Sequence, residues 1–156
     1  MLLLSDTVLA PLVTTAVQQG DLTAVRRLGR WMGDEVARAL GGAAADAPPE
    51  AVLGHAAAMI SMCGWGRLHL ERWGEALLAR LEGLPALDDD QLAVAALLGG
   101  LFSALSKREV ACVPVDSTGK FLLVDPEVAE DVWNWARDGE DVPSLVRRLA
   151  APEAGR

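Results

Sequence analysis

The chain has 156 residues, of which 51% are hydrophobic and 23% charged, so it is long enough for one folded domain and is not intrinsically disordered. Fourteen basic residues against twenty-two acidic ones give a net charge of -8, which argues against nucleic-acid binding and against adhesion to an anionic membrane. The two cysteines are too few for a disulfide framework and form no C-x-x-C motif, so we expect a reducing, cytoplasmic compartment.

The ends of the sequence predict neither a targeting segment nor a membrane span. Met1 to Leu4 is apolar but too short for a signal peptide. No stretch approaches the ~20 apolar residues of a membrane-spanning helix. Pro, Gly and small side chains predict a flexible tail over 151–156.

Three helices are predicted before the first strand. An apolar stripe predicts the first over 5–19, with Pro11 in its first turn or at its start. A clear 3.6-residue period predicts the second over 21–40, where Gly29 and Gly33 form a small-x-x-x-small step that lets another backbone approach closely. Trp31 lies off the apolar stripe of this helix. Pro49 opens the third helix, which ends at Gly64.

The apolar period then changes from 3.6 to 2, which predicts strands. Leu68 and Leu70 alternate with charged residues and predict a half-buried strand over 66–72. The segment 75–82 fits both a strand and a helix, and we favour a strand because a lone strand needs a partner. Two further strands, over 110–115 and 120–124, are joined by an Asp-Ser-Thr-Gly turn.

Between the two pairs of strands, three consecutive aspartates (88–90) precede a strongly apolar helix over 91–107, which we expect to be the central buried one. Further helices are predicted over 126–136 and 141–149. The order αααββαββα predicts a single α+β domain over 1–150, with helices packed on an antiparallel four-stranded sheet.

The order of these elements and several local motifs resemble the 4-vinyl-reductase-type domain and the related small subunits of the TRAPP vesicle-tethering complexes. The similar segments are Leu-Gly-Arg-Trp-Met-Gly-Asp-Glu (28–35), Cys-Gly-Trp-Gly-Arg-Leu (63–68), Leu-Leu-Gly-Gly-Leu-Phe-Ser-Ala-Leu (97–105) and the closing hairpin (110–124). The resemblance covers about residues 20–125, and the helices over 126–149 are an addition to it. It implies a TRAPP-subunit-like fold whose central helix places a glycine beside the sheet.

The resemblance also implies partners and one modification. Related TRAPP subunits hold an acyl chain, attached to a cysteine, in an apolar channel, so Cys63 is a candidate acylation or ligand site; the alternative is a buried core cysteine. Many such domains have paired cysteines in the closing hairpin, whereas here only Cys112 lies there, so we expect no cysteine metal site.

The sequence contains no motif for catalysis. It has only two histidines, His55 and His69, and no phosphate-binding loop, dinucleotide fingerprint, H-E-x-x-H or G-x-S-x-G. We therefore expect no enzyme, and no catalytic, cofactor-binding or metal-binding residues.

The tryptophans indicate apolar surface that either the rest of the domain or a partner must bury. Trp133 and Trp135 lie two apart and cannot share one face of a helix, so either one of them contacts a partner or both belong to a packed lid. With Gly29, Trp31 and Gly33 they are our candidate interface residues.

We therefore predict a non-enzymatic protein-interaction or assembly module that forms a homodimer or hetero-oligomer. From the resemblance, its partners belong to a regulatory or GTPase-linked complex, and the preference for Arg over Lys indicates a bacterial source. The alternative is a sensor that binds a small hydrophobic ligand in an apolar cavity between the sheet and the helices.

Overall fold

A computed structural model describes residues 6–41 and 47–151, and within these ranges six α-helices surround one four-stranded antiparallel sheet. The helices are α1 (Asp6–Gln19), α2 (Thr23–Ala39), α3 (Pro49–Met62), α4 (Leu92–Ser106), α5 (Ala129–Arg137) and α6 (Val142–Ala150). The strands are β1 (Arg67–Trp73), β2 (Ala76–Glu82), β3 (Ala111–Pro114) and β4 (Lys120–Val124), in the sheet order β1-β2-β4-β3. The predicted α+β class is confirmed, and the ambiguous segment at 75–82 is a strand.

Some predicted features lie outside the described residues, namely the apolar start of the chain (1–4) and the tail from 152 onward. The placement of Pro11 was wrong. The described part of α1 is Asp6–Gln19, so Pro11 lies inside the helix and neither in its first turn nor at its start. Leu9 and Val13, on either side of the proline, both pack against the main core, and this tertiary contact outweighs the local cost of the proline.

The two faces of the sheet contact different helices. Because side chains alternate along a strand, Ala79 and Leu81 of β2 enter the core formed with α1 to α4, whereas Leu78 enters a second core formed with α5 and α6. The second core covers the β4–β3 half of its face. Over β1 and β2 the same face is charged, with Arg80 between Glu71 (3.3 Å) and Glu82 (3.2 Å).

The helix α4 is the centre of the main core, as predicted. Eleven of its fifteen residues are buried. Asp88 accepts hydrogen bonds from the backbone N–H groups of Leu92 (2.6 Å) and Ala93 (3.2 Å), so this aspartate caps the helix.

The helices α2 and α4 touch through glycines. A Cβ atom on Gly29 would lie 1.9 Å from the carbonyl oxygen of Leu97, and one on Gly100 would lie 2.0 Å from that of Arg26. The close approach predicted for Gly29 is thus confirmed, and its partner is α4 of the same chain. The resemblance implied that a glycine of the central helix lies beside the sheet. Gly100 instead faces the backbone of α2, whereas a Cβ on Gly99 would lie 2.5 Å from the Arg26 side chain and 3.3 Å from the carbonyl oxygen of Val110, the residue before β3.

We expect Gly29→Ala to destabilise the fold by about 1–3 kcal/mol, because the new methyl group must push two backbones apart. The control is Gly54→Ala in α3, where an added Cβ would meet nothing within 4 Å. That change should stabilise by roughly 0.5–1 kcal/mol, since it lowers the entropy of the unfolded chain. Chemical denaturation measures both. Equal effects of the two substitutions would contradict the close packing.

Candidate ligand groove

An apolar groove lies at the end of the sheet where β1 and β4 finish and β2 starts. Its volume is about 860 Å³, within the range of roughly 300–1,000 Å³ common for small-molecule sites. Its lining includes six large apolar side chains from α3, α4 and three strands: Leu53, Leu70, Leu77, Phe102, Leu105 and Leu123. The lining also includes Val146 and Leu149 of α6, so the groove passes around the strand ends, with α3 and α4 on one side and α6 on the other.

The sheet register explains the floor of the groove. Leu77 of β2 lies opposite Leu123 of β4, so both side chains are on the face that α4 covers. From α4, Phe102 and Leu105 are three residues apart and lie on the same side of the helix. Although its neighbours are apolar, Leu77 remains 36% exposed. The surrounding side chains therefore do not cover Leu77 completely, and part of its apolar surface remains accessible to solvent.

Charged side chains form the rim. Four carboxylates (Glu50, Glu71, Glu75 and Asp125) and two guanidinium groups (Arg72 and Arg108) line the groove. Two of the carboxylates have partners, since Asp125 lies 3.6 Å from Arg108 and Glu71 lies 3.3 Å from Arg80. Carboxylates still outnumber guanidinium groups in the lining, and this excess favours a neutral or cationic ligand over an anionic one.

A hydrogen-bond network fixes the wall of the groove next to β3. From α2, the Arg26 guanidinium donates to the Ser103 hydroxyl (3.1 Å), the Glu109 carboxylate (2.9 Å) and the Val110 carbonyl (2.9 Å). The Val110 N–H in turn donates to the Ser103 hydroxyl at 2.9 Å. Val110 lines the groove, so α2 and α4 together hold this residue in place.

Glu109 is the solvent-exposed carboxylate of this network. Hydrogen bonds from Arg30 and Arg26 lower the pKa of the Glu109 carboxyl below its usual value. A carboxyl with a lowered pKa in the folded state stabilises the fold at pH values above its unfolded pKa, near 4.5, and this stabilisation is lost as the pH falls through the folded pKa.

We expect Glu109→Gln to lower the free energy of unfolding at pH 7, and the difference from the unmodified protein to shrink as the pH falls below about 4.5. Urea denaturation at pH 7 and at pH 3 gives the two differences. Glu130→Gln, at an exposed position of α5, is the control and should have little effect at either pH. If Glu109→Gln lowers the free energy of unfolding by the same amount at pH 7 and at pH 3, the charge of Glu109 does not stabilise the fold.

The structure separates the candidate interface residues. Gly29 and Gly33 are buried against α4, so the prediction that they contact another subunit was wrong. The spacing was interpreted correctly as a site of close approach, but the sequence does not say whether the approaching helix comes from the same chain. Trp31 is 53% exposed, on a flank of α2 that also presents Leu28, 41% exposed.

Trp133 and Trp135 are both half-buried, and both pack against the second core. The Arg137 guanidinium lies over the Trp133 ring, 5.7 Å from its centre, and Arg148 lies over the Trp135 ring at 4.5 Å. The first cation–π contact lies within α5, and the second joins α6 to α5. The lid-packing alternative thus explains the positions of both tryptophans.

The two cysteines have different environments. Cys63 follows the last residue of α3 and is exposed, so the alternative of a buried core cysteine was wrong. The apolar stripe of α3 ends at Ile60, because the chain leaves the core after that turn. Cys63 also does not line the groove. Cys112, on β3, is the buried cysteine, and burial raises the pKa of its thiol.

Within residues 6–41 and 47–151 no three His, Cys, Asp or Glu side chains lie close enough to hold a metal ion. Both histidines are exposed: His55 contacts the Ala51 carbonyl of its own helix (2.9 Å), and His69 lies 3.8 Å from Glu82. No helix of the described part of the chain is long and apolar enough to span a membrane.

The groove residues were not singled out in the sequence. The signal was present in Leu77 and Leu78, two adjacent leucines in a strand, which require apolar surroundings on both faces of the sheet. The opening beside Leu77, however, depends on how far α3 and α4 lie from the end of the sheet. Comparison with protein-family models and with curated proteins found no match to this chain.

Proposed function

We propose that this protein is a non-enzymatic binding module that holds a small apolar ligand in the groove. The observation that supports this proposal most is the exposed Leu77 on an apolar floor of the groove. Removing an exposed apolar side chain from water lowers the free energy of the system. A ligand that covers Leu77 is therefore stabilised in the groove. The groove also borders both the central helix and the sheet, so an occupant contacts the two main layers of the fold.

The rim restricts the chemistry of the ligand. Carboxylates outnumber guanidinium groups there, and the whole chain has a net charge of -8. A neutral or cationic ligand avoids the repulsion that a fatty-acid carboxylate meets in such a site. We therefore propose a neutral or amine-bearing apolar molecule.

We expect Leu77→Asp to weaken binding of the neutral apolar dye Nile red by about tenfold or more, because the new carboxylate lies in the apolar floor. The change should fold, since Leu77 is already partly exposed. Leu12→Asp is the matched control, because it removes a more exposed leucine on α1, outside the groove. Fluorescence titration measures both affinities. Equal losses in the two variants, or no binding to the unmodified protein, would refute the proposal.

We also propose an assembly function, supported by the exposed Trp31 and Leu28 on α2. Trp is enriched at the energetically important centres of protein interfaces. From the resemblance to 4-vinyl-reductase-type domains and TRAPP small subunits, we propose that the partner is a protein of a bacterial, cytoplasmic regulatory or GTPase-linked complex. Binding of a ligand and docking of a partner are compatible, because neither Trp31 nor Leu28 lines the groove.

A photo-crosslinking amino acid in place of Trp31, expressed in the native host, should give a discrete adduct with one protein. The same amino acid in place of Asn134, an exposed residue of α5, is the control and should give none. Adducts at both positions, or at neither, would contradict docking through this flank.

A further inference from the structure

In the described part of the chain, the strand β1 has a strand on one side and none on the other. It lies at the edge of the sheet, and its neighbour there is β2. No other backbone hydrogen bond joins Arg67–Trp73 to the described part of the chain. An edge strand of seven residues presents a row of free N–H and C=O groups, which another strand can use.

The register of the sheet identifies the outward groups. The Leu81 N–H donates to the Gly119 carbonyl at 2.8 Å, so the odd-numbered residues of β2 bond toward β4 and the even-numbered ones toward β1. The residues of β1 opposite those even-numbered positions are 67, 69, 71 and 73. The outward N–H and C=O groups of β1 therefore belong to Leu68, Leu70 and Arg72.

We propose that a second copy of this chain pairs antiparallel with β1, centred on Leu70, so that two four-stranded sheets become one of eight strands. In this register Leu70 lies opposite Leu70 of the other copy, and Leu68 lies opposite Arg72. These are the hydrogen-bonded pairs, and they use all the outward groups in about six backbone bonds.

The side chains between them are complementary in the same register. His69 lies opposite Glu71 of the other copy, and Arg67 lies opposite Trp73, each pair occurring twice because of the two-fold symmetry. All four are on the face of the sheet that α5 and α6 leave open at this edge. Non-hydrogen-bonded positions bring opposite side chains closest, so the His69 ring hydrogen-bonds to the Glu71 carboxylate, which in each copy also lies 3.3 Å from Arg80, and Arg67 stacks on Trp73.

Neighbouring registers are worse. Centring the pair on Glu71 places two glutamates directly opposite each other, and like charges there are destabilising. Centring it on His69 leaves Arg72 and Trp73 beyond the paired region. Charged residues on an edge strand normally prevent its association with other strands. The charges of β1, however, are complementary to those of an antiparallel copy of the same strand.

The helix α3 leaves room for the second copy. It packs on β1 from the face of the main core, through Ala56 and Ile60. Its exposed positions include the small residues Gly54, Ala58 and Ser61. Small side chains allow a close approach of the corresponding helix across the dimer. The pairing does not depend on the proposed ligand.

Sedimentation equilibrium should show that the unmodified protein is a dimer in reversible equilibrium with its monomer. Arg72→Pro removes an outward N–H without touching the ladder to β2, so it should give a folded monomer. Arg72→Ala, which keeps the N–H, is the matched control and should remain dimeric. Circular dichroism checks that each variant is folded.

A second pair of variants tests the register, and decides the matter if Arg72→Pro fails to fold. His69→Glu places two like-charged pairs in the interface and should raise the dissociation constant of the dimer by about tenfold or more. The double change His69→Glu with Glu71→His again places a histidine opposite a glutamate at both positions, so it should restore the dimer. A monomeric unmodified protein, or a dimer that neither Arg72→Pro nor His69→Glu weakens, would overturn the proposal.

Discussion

The rest of the structure depends on the contact between α2 and α4. Glycines on both helices bring their backbones so close that a single methyl group on Gly29 or Gly100 has no room. At this distance Arg26 of α2 reaches past α4 to the carbonyl of Val110, at the start of the closing hairpin. One helix pair thereby positions the central helix, one wall of the groove and the strand β3.

The position of α4 also determines which apolar surface stays open. The helix packs on one face of the sheet with β3 as its nearest strand, and α5 and α6 cover the β4–β3 half of the other face. Leu77, at the end of the sheet, nevertheless stays 36% exposed, and the edge of β1 has no further strand beside it in the described part of the chain. The end is apolar and forms a groove, whereas the edge is charged and presents free backbone groups. The two uncovered places therefore suit different occupants, a small apolar molecule and another strand.

Much of the fold could be predicted because its signals are local. The alternation of Leu68 and Leu70 with charged residues predicted β1, and the apolar run after the aspartates predicted α4 as the buried helix. The partner of Gly29 and the exposure of Cys63 could not be predicted, because both depend on where a helix lies in three dimensions. An apolar cavity was offered as an alternative, but the residues that line the groove were missed for the same reason. Leucines 77, 105 and 123 are far apart in the sequence, and only packing brings them to one opening.

The central claim is that the apolar opening at the end of the sheet is a binding site, and methyl NMR tests it most directly. Adding a neutral apolar ligand to leucine-labelled protein should shift the methyl resonances of Leu53, Leu77, Leu105 and Leu123, all of which line the groove. The resonances of Leu12 and Leu28, which lie outside it, should stay unchanged. Shifts confined to Leu12 and Leu28, or no shifts at saturating ligand, would contradict the account.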